Sequence, residues 1–211
     1  MKFVSERLRL YAVTDRHWLG EKTLISQVEL ALRGGATLIQ LREKDMAQQA
    51  FLAEALAIKT LCRRYGVPLI INDDVAVALA CDADGVHIGQ SDMALVQARE
   101  KLGPEKIIGV SAQTVSQALA AQQNGADYLG VGAVFATGTK RDADNVDHET
   151  LRRICQAVSI PVTAIGGITL ENMSQLEYTG ISGVAVVSAI FARPDVLGQT
   201  RALLEKTLEV F

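Results

Sequence analysis

The residues best suited to chemistry follow short apolar runs, at the point where each run ends. Residues 70–74 read IINDD, so two Ile side chains are followed at once by an amide and two carboxylates. Adjacent carboxylates repel each other where water is scarce, unless a cation or a helix N-terminus lies beside them. We expect Asp74 to cap a helix that begins at Val75, which leaves Asp73 free to hold a cation.

A second carboxylate, Asp92, follows the next apolar run, Gly85–Ile88. If the two runs are neighbouring parallel strands, Asp73 and Asp92 lie together at one edge and suit Mg²⁺. This ion usually takes one or two protein carboxylates and fills its other positions with phosphate oxygens and water. The alternative for Asp92 is the N-cap of a helix over 93–101. His87 in the same run is expected to be a hydrogen-bonded core residue.

Two cations and an amide end another run, in the sequence QLREKD. Gln40, Arg42 and Lys44 alternate along the chain, so in a strand they point to one face. A buried parallel strand has no structural need for such a face, and Arg and Lys bind phosphate well, so the pattern predicts an anion clamp. The alternative is surface pairing of Arg42 and Lys44 with Glu43 and Asp45.

Two further stretches are suited to phosphate. Residues 134–144 contain the hydroxyls, glycine and ammonium of an anion cradle at Thr137, Gly138, Thr139 and Lys140, although a solvated loop would have the same composition. Gly167 follows the seventh apolar run and Ser188 ends the eighth, where many barrels bind phosphate through backbone N–H groups. Ser111, after the fifth run, is a weaker candidate for the same rim.

Eight apolar runs rich in Val and Ile alternate with segments of helical period, which predicts a parallel sheet. Eight such units favour a single-domain α/β chain, a (β/α)₈ TIM barrel over residues 1–211, close to the lower limit of roughly 200 residues for that fold. A doubly wound sheet is the alternative, but no G-x-G-x-x-G follows the first run. The expected strands are Leu8–Thr14, Thr37–Leu41, Pro68–Ile71, Gly85–Ile88, Lys106–Val110, Tyr128–Phe135, Pro161–Ile165 and Gly183–Ser188.

Helical stripes and stops complete the predicted pattern. Glycines at 34–35, 66 and 125 are expected to end the first, second and fifth helices. Two apolar stripes at helical spacing are expected to face the core. The first is Phe51, Ala55, Ile58, Cys62 and Tyr65, and the second is Leu197, Leu204, Leu208 and Phe211.

The composition excludes several classes of protein. Hydrophobic residues make up 49% of the chain and charged residues 21%, so a sizeable core is expected. A net charge of −3 without a long basic block argues against nucleic-acid and anionic-membrane partners. No run approaches the roughly 18 apolar residues of a membrane span. Three scattered Cys favour a reducing compartment, so we expect the cytoplasm, and a homo-oligomer remains open.

Taken together, the motifs resemble those of the thiamine-phosphate synthase (thiamine-phosphate pyrophosphorylase) family. The resemblance runs through LYAVTD, QLREK, IINDD, DGVHIGQSD, GVSAQT, TGTK, AIGGI and GVAVVSAI, and so covers nearly the whole chain. It implies a (β/α)₈ barrel that joins hydroxymethylpyrimidine diphosphate to thiazole phosphate or its carboxylated form. The resemblance also implies a dissociative reaction on small-molecule substrates that uses Mg²⁺ and releases diphosphate.

The resemblance also implies residue roles. Mg²⁺ would be held by Asp73 and Asp92, and Arg42, Lys44 and Lys140 would stabilise the departing diphosphate. The pyrimidine diphosphate would be bound by Gln40, Arg42, Lys44, Asn72, Ser111 and Lys140. The thiazole phosphate would be bound by Thr137, Gly138, Thr139, Gly167, Val187 and Ser188.

Two rival functions remain. A thiazole tautomerase of the same fold would share the phosphate site after strands seven and eight, but it would not need the metal carboxylates or the Thr139–Lys140 pair. A non-catalytic sensor of a phosphate ligand would bind without Mg²⁺ and release no product.

Overall fold

Eight parallel strands close into a barrel in which each strand pairs with the next and the last pairs with the first. This closed parallel barrel with helices between its strands confirms the predicted TIM barrel. The computed structural model describes residues 3–137 and 145–211. The strands are β1 (Leu10–Val13), β2 (Leu38–Leu41), β3 (Leu69–Asn72), β4 (Gly85–Ile88), β5 (Ile107–Ala112), β6 (Tyr128–Val131), β7 (Val162–Ile165) and β8 (Gly183–Val186).

Helices connect most of the strands across the outside of the barrel. They are α1 (Leu24–Gly34), α2 (Gln48–Tyr65), α3 (Val75–Ala80), α4 (Leu95–Leu102), α5 (Val115–Gln123), α6 (His148–Ala157), α7 (Ser188–Phe191) and α8 (Val196–Val210). The predicted alternation of strand and α-helix fails between β7 and β8, where a 3₁₀ turn at Met173–Leu176 makes the connection. Two helices then follow β8, the short α7 and the long α8. None of the helices in the described ranges has the length and apolar composition needed to cross a membrane.

Two apolar cores share the strands. The larger one fills the space between the strands and the helices. The smaller one lies inside the barrel and includes Leu38, Ile70 and Ala185, with Tyr11 and Tyr128 as its largest members. Because side chains alternate along a strand, inward positions build the smaller core and outward positions build the larger one. The inward positions near the strand ends then form the site described below.

The predicted helix stops are confirmed at the first two helices. Gly35 follows α1 with a φ of 101°, and Gly66 follows α2 with a φ of 66°. Both angles lie in the left-handed region, where a residue with a Cβ is strained. Gly125, one residue beyond the C-cap of α5, also has a positive φ of 92°. The glycines therefore end the helices for the conformational reason that the sequence indicates.

The predicted buried face of α8 is wrong for Leu208 and Phe211, although Leu204 of the same stripe packs against the larger core. Leu208 and Phe211 are 52% and 40% exposed, whereas α8 buries Val196, Thr200, Leu203 and Thr207. The reason is the close approach of α1, because a Cβ at Gly34 would lie 2.5 Å from the Cβ of Thr200. A small side chain fits there. The buried Thr200 hydroxyl has a hydrogen-bond partner within the helix, because it donates to the Val196 carbonyl oxygen at 2.6 Å.

The stripe predicted on α2 is correct for four of its five residues. Phe51, Ala55, Ile58 and Cys62 are buried, but Tyr65 is 38% exposed. Tyr65 lies at the last position of the helix, where its hydroxyl donates to Glu29 at 3.2 Å. A polar-tipped ring at a helix end can keep its tip in water, which periodicity alone does not indicate.

Arg99 of α4 joins several loops at the end of the barrel away from the strand carboxyl ends. Its guanidinium donates to the carbonyl oxygens of Gly103, Lys106 and Gly125 at 3.0, 2.6 and 2.8 Å. It also donates to the Asp127 carboxylate at 2.7 Å. That carboxylate oxygen in turn accepts the Ile108 N–H at 2.8 Å, so Arg99 links α4 to the starts of β5 and β6.

Replacing Arg99 should therefore destabilise the fold. We expect Arg99→Ala to lower the free energy of unfolding by roughly 2–4 kcal/mol, because carbonyl groups and a carboxylate lose a charged donor. Urea denaturation followed by circular dichroism measures this change. Arg152→Ala is the matched control, since Arg152 pairs with Glu149 on an exposed face and should change stability by less than about 0.5 kcal/mol. Equal effects of the two substitutions would contradict the assignment.

Candidate functional site

A cavity of about 530 Å³ opens at the carboxyl ends of the strands, and all eight strands contribute to its lining. Its lining includes each described residue that the sequence predicts for the site. Gly138, Thr139 and Lys140 lie outside the described residues. The predicted residues brought together are Gln40, Arg42, Lys44, Asn72, Asp73, Asp92, Ser111, Thr137, Gly167, Val187 and Ser188.

The end of β2 presents its polar side chains to this cavity. Thr14, which follows β1, donates its N–H to the Gln40 carbonyl oxygen at 2.9 Å. The Thr14 hydroxyl then accepts the Arg42 N–H at 3.0 Å. Two bonds therefore hold the end of β2 against β1, and alternation directs Gln40, Arg42 and Lys44 to the cavity as predicted.

Glu43 lies between the two cations in sequence but takes a different partner. Arg16, in the 3₁₀ turn after β1, donates to Glu43 at 2.8 Å and also pairs with Glu54 of α2. The Glu43 side chain is only 5% exposed, and burial raises its carboxyl pKa while Arg16 opposes that rise. The alternative in which Glu43 pairs with Arg42 or Lys44 on the surface is therefore wrong.

Asp73 is constrained by its backbone and its neighbours. Its φ is 63°, an uncommon value for a residue with a Cβ, and its N–H donates to the His87 carbonyl oxygen at 2.8 Å. The Asn72 amide donates to its carboxylate at 2.6 Å. Partial loss of water raises the Asp73 pKa to about 6, and the nearby Asp92 carboxylate adds to the rise. Asp73 and Asp92 are thus close enough to interact, as the sequence predicts.

Asp92 reaches the pair through the loop after β4. The Gly89 N–H donates to the Asp92 carboxylate at 2.6 Å, which closes a tight turn. Helix α4 begins only at Leu95 after Ala94, and no side chain caps it. The alternative that Asp92 caps this helix is therefore wrong, because the chain turns for three residues before the helix begins.

Asp74 has the structural role predicted for it. It is the N-cap of α3, and its carboxylate accepts the Val77 N–H at 2.8 Å. The two adjacent carboxylates in IINDD thus have different environments. Asp74 is stabilised by the free N–H groups of a helix, while Asp73 faces another carboxylate in the cavity.

The opposite side of the cavity is built from glycines and a hydroxyl. Gly167 has a φ of 62°, and a Cβ there would lie 2.5 Å from the Ala136 carbonyl oxygen. Glycine therefore allows the loop after β7 to lie directly against the loop after β6. Asn172 supports the first loop by donating to the Gly167 carbonyl oxygen at 2.8 Å. Val187 and Ser188 contribute to the lining at the start of α7.

A row of hydrogen-bonded side chains crosses the floor of the cavity. Gln40 donates to the Tyr11 hydroxyl at 2.5 Å, and the Tyr11 and Tyr128 hydroxyls lie 2.8 Å apart. The Tyr128 hydroxyl lies 3.0 Å from Nδ1 of His87, whose Nε2 lies 3.0 Å from the Ser111 hydroxyl. His87 is thus a hydrogen-bonded core residue, as predicted. Burial raises the pKa of both tyrosines well above their usual range, so both hydroxyls keep their protons.

Sequence reasoning missed the two tyrosines of this row. Their strand positions alone indicate ordinary core aromatics, since a Tyr in a strand is common. A usable signal was present in the glycines of the neighbouring strands. A Cβ at Gly109 would lie 2.1 Å from the Tyr128 ring, and a Cβ at Gly130 would lie 2.9 Å from the His87 ring. Inward-facing glycines in adjacent strands therefore mark the space that these rings occupy.

The fold and the site together define a TIM-barrel protein with a polar cavity at the strand carboxyl ends, where this class of fold carries its active sites. The family model described as thiamine monophosphate synthase matches residues 10–190. The chain belongs to this family.

Individual relatives agree with the family match. The chain is 52% identical to a thiamine-phosphate synthase of Ruminiclostridium cellulolyticum over 96% of this chain and 94% of that protein. It is 49% identical to a thiamine-phosphate synthase of Clostridium acetobutylicum, over 93% of each chain. Among solved structures, a thiamine phosphate pyrophosphorylase from Pyrococcus furiosus superposes with a TM-score of 0.91 at 40% identity, covering 98% of both chains.

The raised pKa of Asp73 has a consequence for stability. Its carboxyl pKa moves from 3.8 to about 6, so the folded protein holds that proton more tightly than the unfolded chain. In metal-free buffer, stability from this group is therefore present at low pH and is lost as the pH rises through 6. We expect Asp73→Asn to raise the melting temperature at pH 7.5, with a gain that becomes smaller as the pH is lowered to 4.5.

In a matched control, Asp82→Asn, we expect the melting temperature to change in the opposite direction. Asp82 also has a positive φ, of 52°, but Lys106 lowers its pKa through a hydrogen bond and its charge. Asp82→Asn should therefore lower the melting temperature at pH 7.5. Differential scanning calorimetry with EDTA measures both variants. An Asp73→Asn protein that melts below wild type at pH 7.5 would show that the carboxylate pair is not under repulsion.

Proposed function

We propose that this chain is a thiamine-phosphate synthase. It would join hydroxymethylpyrimidine diphosphate to thiazole phosphate, or to carboxythiazole phosphate, and release diphosphate. The observation that carries the proposal is a single cavity with two kinds of anion-binding wall in a member of this family. One wall has cations beside a carboxylate pair, which suits a diphosphate. The other has glycines and a hydroxyl, which suits a monophosphate.

The pyrimidine diphosphate is assigned to the wall formed by β2 to β5. Arg42 and Lys44 offer charged donors to the phosphate oxygens. Gln40, Asn72 and Ser111 offer neutral groups for the pyrimidine and its linkage. We assign Lys140 to the same substrate from the family resemblance alone, since it lies outside the described residues.

Asp73 and Asp92 are proposed to hold Mg²⁺. The fit is supported by the raised Asp73 pKa, because two carboxylates that repel each other are stabilised by a cation between them. Within residues 3–137 and 145–211, no group of three or more His, Cys, Asp or Glu is placed to hold a metal ion. Two carboxylates are sufficient for Mg²⁺ that also binds water and phosphate. When bound, the ion would neutralise charge on the diphosphate leaving group.

The thiazole phosphate is assigned to the opposite wall. Gly167 would bring backbone close to the ligand, and Val187 and Ser188 line the cavity at the start of α7, directly after the neighbouring strand β8. Thr137 lines the same cavity from the loop after β6. Gly138 and Thr139 follow in the sequence, lie outside the described residues, and are assigned to the thiazole phosphate by resemblance alone.

The proposed chemistry needs positioning and charge stabilisation. An electron-rich aminopyrimidine can support a methylene cation as diphosphate leaves, and the thiazole nitrogen then captures that carbon. Arg42, Lys44 and Lys140 would act as catalytic residues by stabilising negative charge on the departing diphosphate. Such stabilisation is greatest in the transition state, where that charge develops.

The proposed function is accompanied by predictions on domain organisation, binding partners, cellular location and oligomeric state. We propose that residues 1–211 act as one catalytic domain on small-molecule substrates, with no nucleic-acid or membrane partner. A cytoplasmic location stays a prediction from the scattered cysteines. A homo-oligomer also stays a prediction.

A coupled assay separates this function from its rivals. Purified protein with Mg²⁺ and both substrates should release diphosphate and form thiamine phosphate. EDTA and Asp92→Asn should each abolish most of that turnover, while Asp82→Asn at the far end of the barrel should retain it. A tautomerase would convert thiazole phosphate isomers without the pyrimidine substrate, and a sensor would bind ligand without product. Undiminished turnover in EDTA would remove the metal from the proposal.

The charge-stabilising role of Lys140 is tested separately. Lys140→Ala should lower kcat by about 100-fold, the scale of one lost transition-state donor. Lys101→Ala, on the exposed side of α4, is the matched control and should leave the rate unchanged. Stopped-flow measurement of diphosphate release reports both variants. A Lys140→Ala rate within threefold of wild type would exclude Lys140 from the mechanism.

A further inference from the structure

The hydrogen-bonded row under the cavity joins two proposed substrate-binding residues. It runs from Gln40 on β2 through Tyr11, Tyr128 and His87 to Ser111 on β5. Both ends line the cavity, and the Tyr11 and Tyr128 side chains between them are at most 1% exposed. The row therefore connects the β2 and β5 ends of the pyrimidine wall through side chains that are almost completely buried.

Each inner member of the row has a limited choice of roles. A tyrosine hydroxyl has one proton to donate, and a neutral imidazole has one donor nitrogen and one acceptor nitrogen. Gln40 donates to Tyr11, so Tyr11 directs its own proton to Tyr128, and Tyr128 directs its proton to Nδ1 of His87. His87 then carries its proton on Nε2 and donates to the Ser111 oxygen.

The two ends are consequently complementary. In this direction Gln40 turns its carbonyl oxygen, an acceptor, to the cavity, and Ser111 turns its hydroxyl proton, a donor, to the cavity. Rotating the Gln40 amide would require every proton in the row to reverse. Gln40 would then offer a donor and Ser111 an acceptor. One end cannot change its role while the other keeps the same role.

The barrel is shaped to hold this row in place. The missing side chains of Gly109 and Gly130 leave room for the Tyr128 and His87 rings. Phe3 stacks on Tyr128 with ring centroids 5.2 Å apart, and Tyr11 meets it edge-on at 5.9 Å. Rings held by these neighbours keep their polar tips aligned, so the links of the row stay in place and its two ends remain coupled.

We propose that Tyr11, Tyr128 and His87 are positioning residues that lock the donor and acceptor roles of Gln40 and Ser111. The locked ends match an aminopyrimidine, whose amino group donates and whose ring nitrogen accepts. A 4-oxopyrimidine has the reverse pattern, with a carbonyl acceptor beside a ring N–H donor. In the direction that the Gln40 amide sets by donating to Tyr11, the row therefore matches the amino and not the oxo pyrimidine. This inference rests on the proposed function, because it takes the pyrimidine diphosphate as the ligand.

Tyr128→Phe tests the row by removing one hydroxyl while keeping the stacked ring. We expect the KM for the pyrimidine diphosphate to rise about 10-fold, since the groups on either side lose their partner. The KM for the thiazole phosphate should stay within twofold. Tyr65→Phe, which removes an exposed hydroxyl bonded to Glu29, is the matched control and should leave both values unchanged. An unchanged pyrimidine KM, or an equal rise in both, would overturn the proposal.

Selectivity gives a readout that lost stability alone would not move. The inhibition constants of the 4-amino and 4-oxo pyrimidine monophosphates are compared in wild type and in Tyr128→Phe. We expect wild type to favour the amino form and the variant to lose about 10-fold of that preference. A preference that is the same in both proteins would overturn the selective role. Absence of thiamine phosphate from the wild-type reaction would instead refute the proposed function.

The direction of the row has a spectroscopic signature. With ¹⁵N-labelled histidine, His87 should be neutral with its proton on Nε2 in the complex with the 4-aminopyrimidine monophosphate. Its signals are assigned by their absence from His87→Gln. A proton on Nδ1 in that complex would reverse every link and overturn the assignment.

Discussion

Closure of the parallel barrel is the constraint on which the rest of the structure depends. Because β8 pairs with β1, every strand has two neighbours and every carboxyl end lies on one rim. Polar residues that are far apart in sequence, such as Gln40 and Ser188, therefore line one cavity. Closure also creates a barrel interior that side chains must occupy, and in this protein some of those side chains are polar.

The polar interior is tolerated because its groups are paired. An unpaired buried hydroxyl or amide costs about 1–3 kcal/mol, so a row of polar side chains inside a barrel is stable only when each link is made. The contacts from Gln40 to Ser111 satisfy this condition with two tyrosines and one histidine. The same links give the cavity floor a direction, which connects the stability of the barrel interior to recognition at its mouth.

At the rim, neighbouring charged residues in the sequence are directed to different partners. Arg16 binds Glu43 outside the cavity, which leaves Arg42 and Lys44 in the lining without the carboxylate that lies between them in sequence. Asp74 is stabilised at the start of α3, and Asp73 and Asp92 remain together with a raised Asp73 pKa. The rim therefore concentrates cations and a repelling carboxylate pair, and the proposed binding of a phosphate ligand together with Mg²⁺ rests on this arrangement.

The sequence by itself determined the barrel, the rim residues and the role of Asp74. These follow from local rules: alternation of apolar runs with helical segments, side-chain direction along a strand, and the preference of Asp for a helix N-cap. Only the tertiary structure decided the buried face of α8, the partner of Glu43, the turn at Asp92 and the row through Tyr11 and Tyr128. Each depends on how closely separate elements approach, as at Gly34 against Thr200 or Gly109 against Tyr128, and periodicity within one segment does not contain that distance.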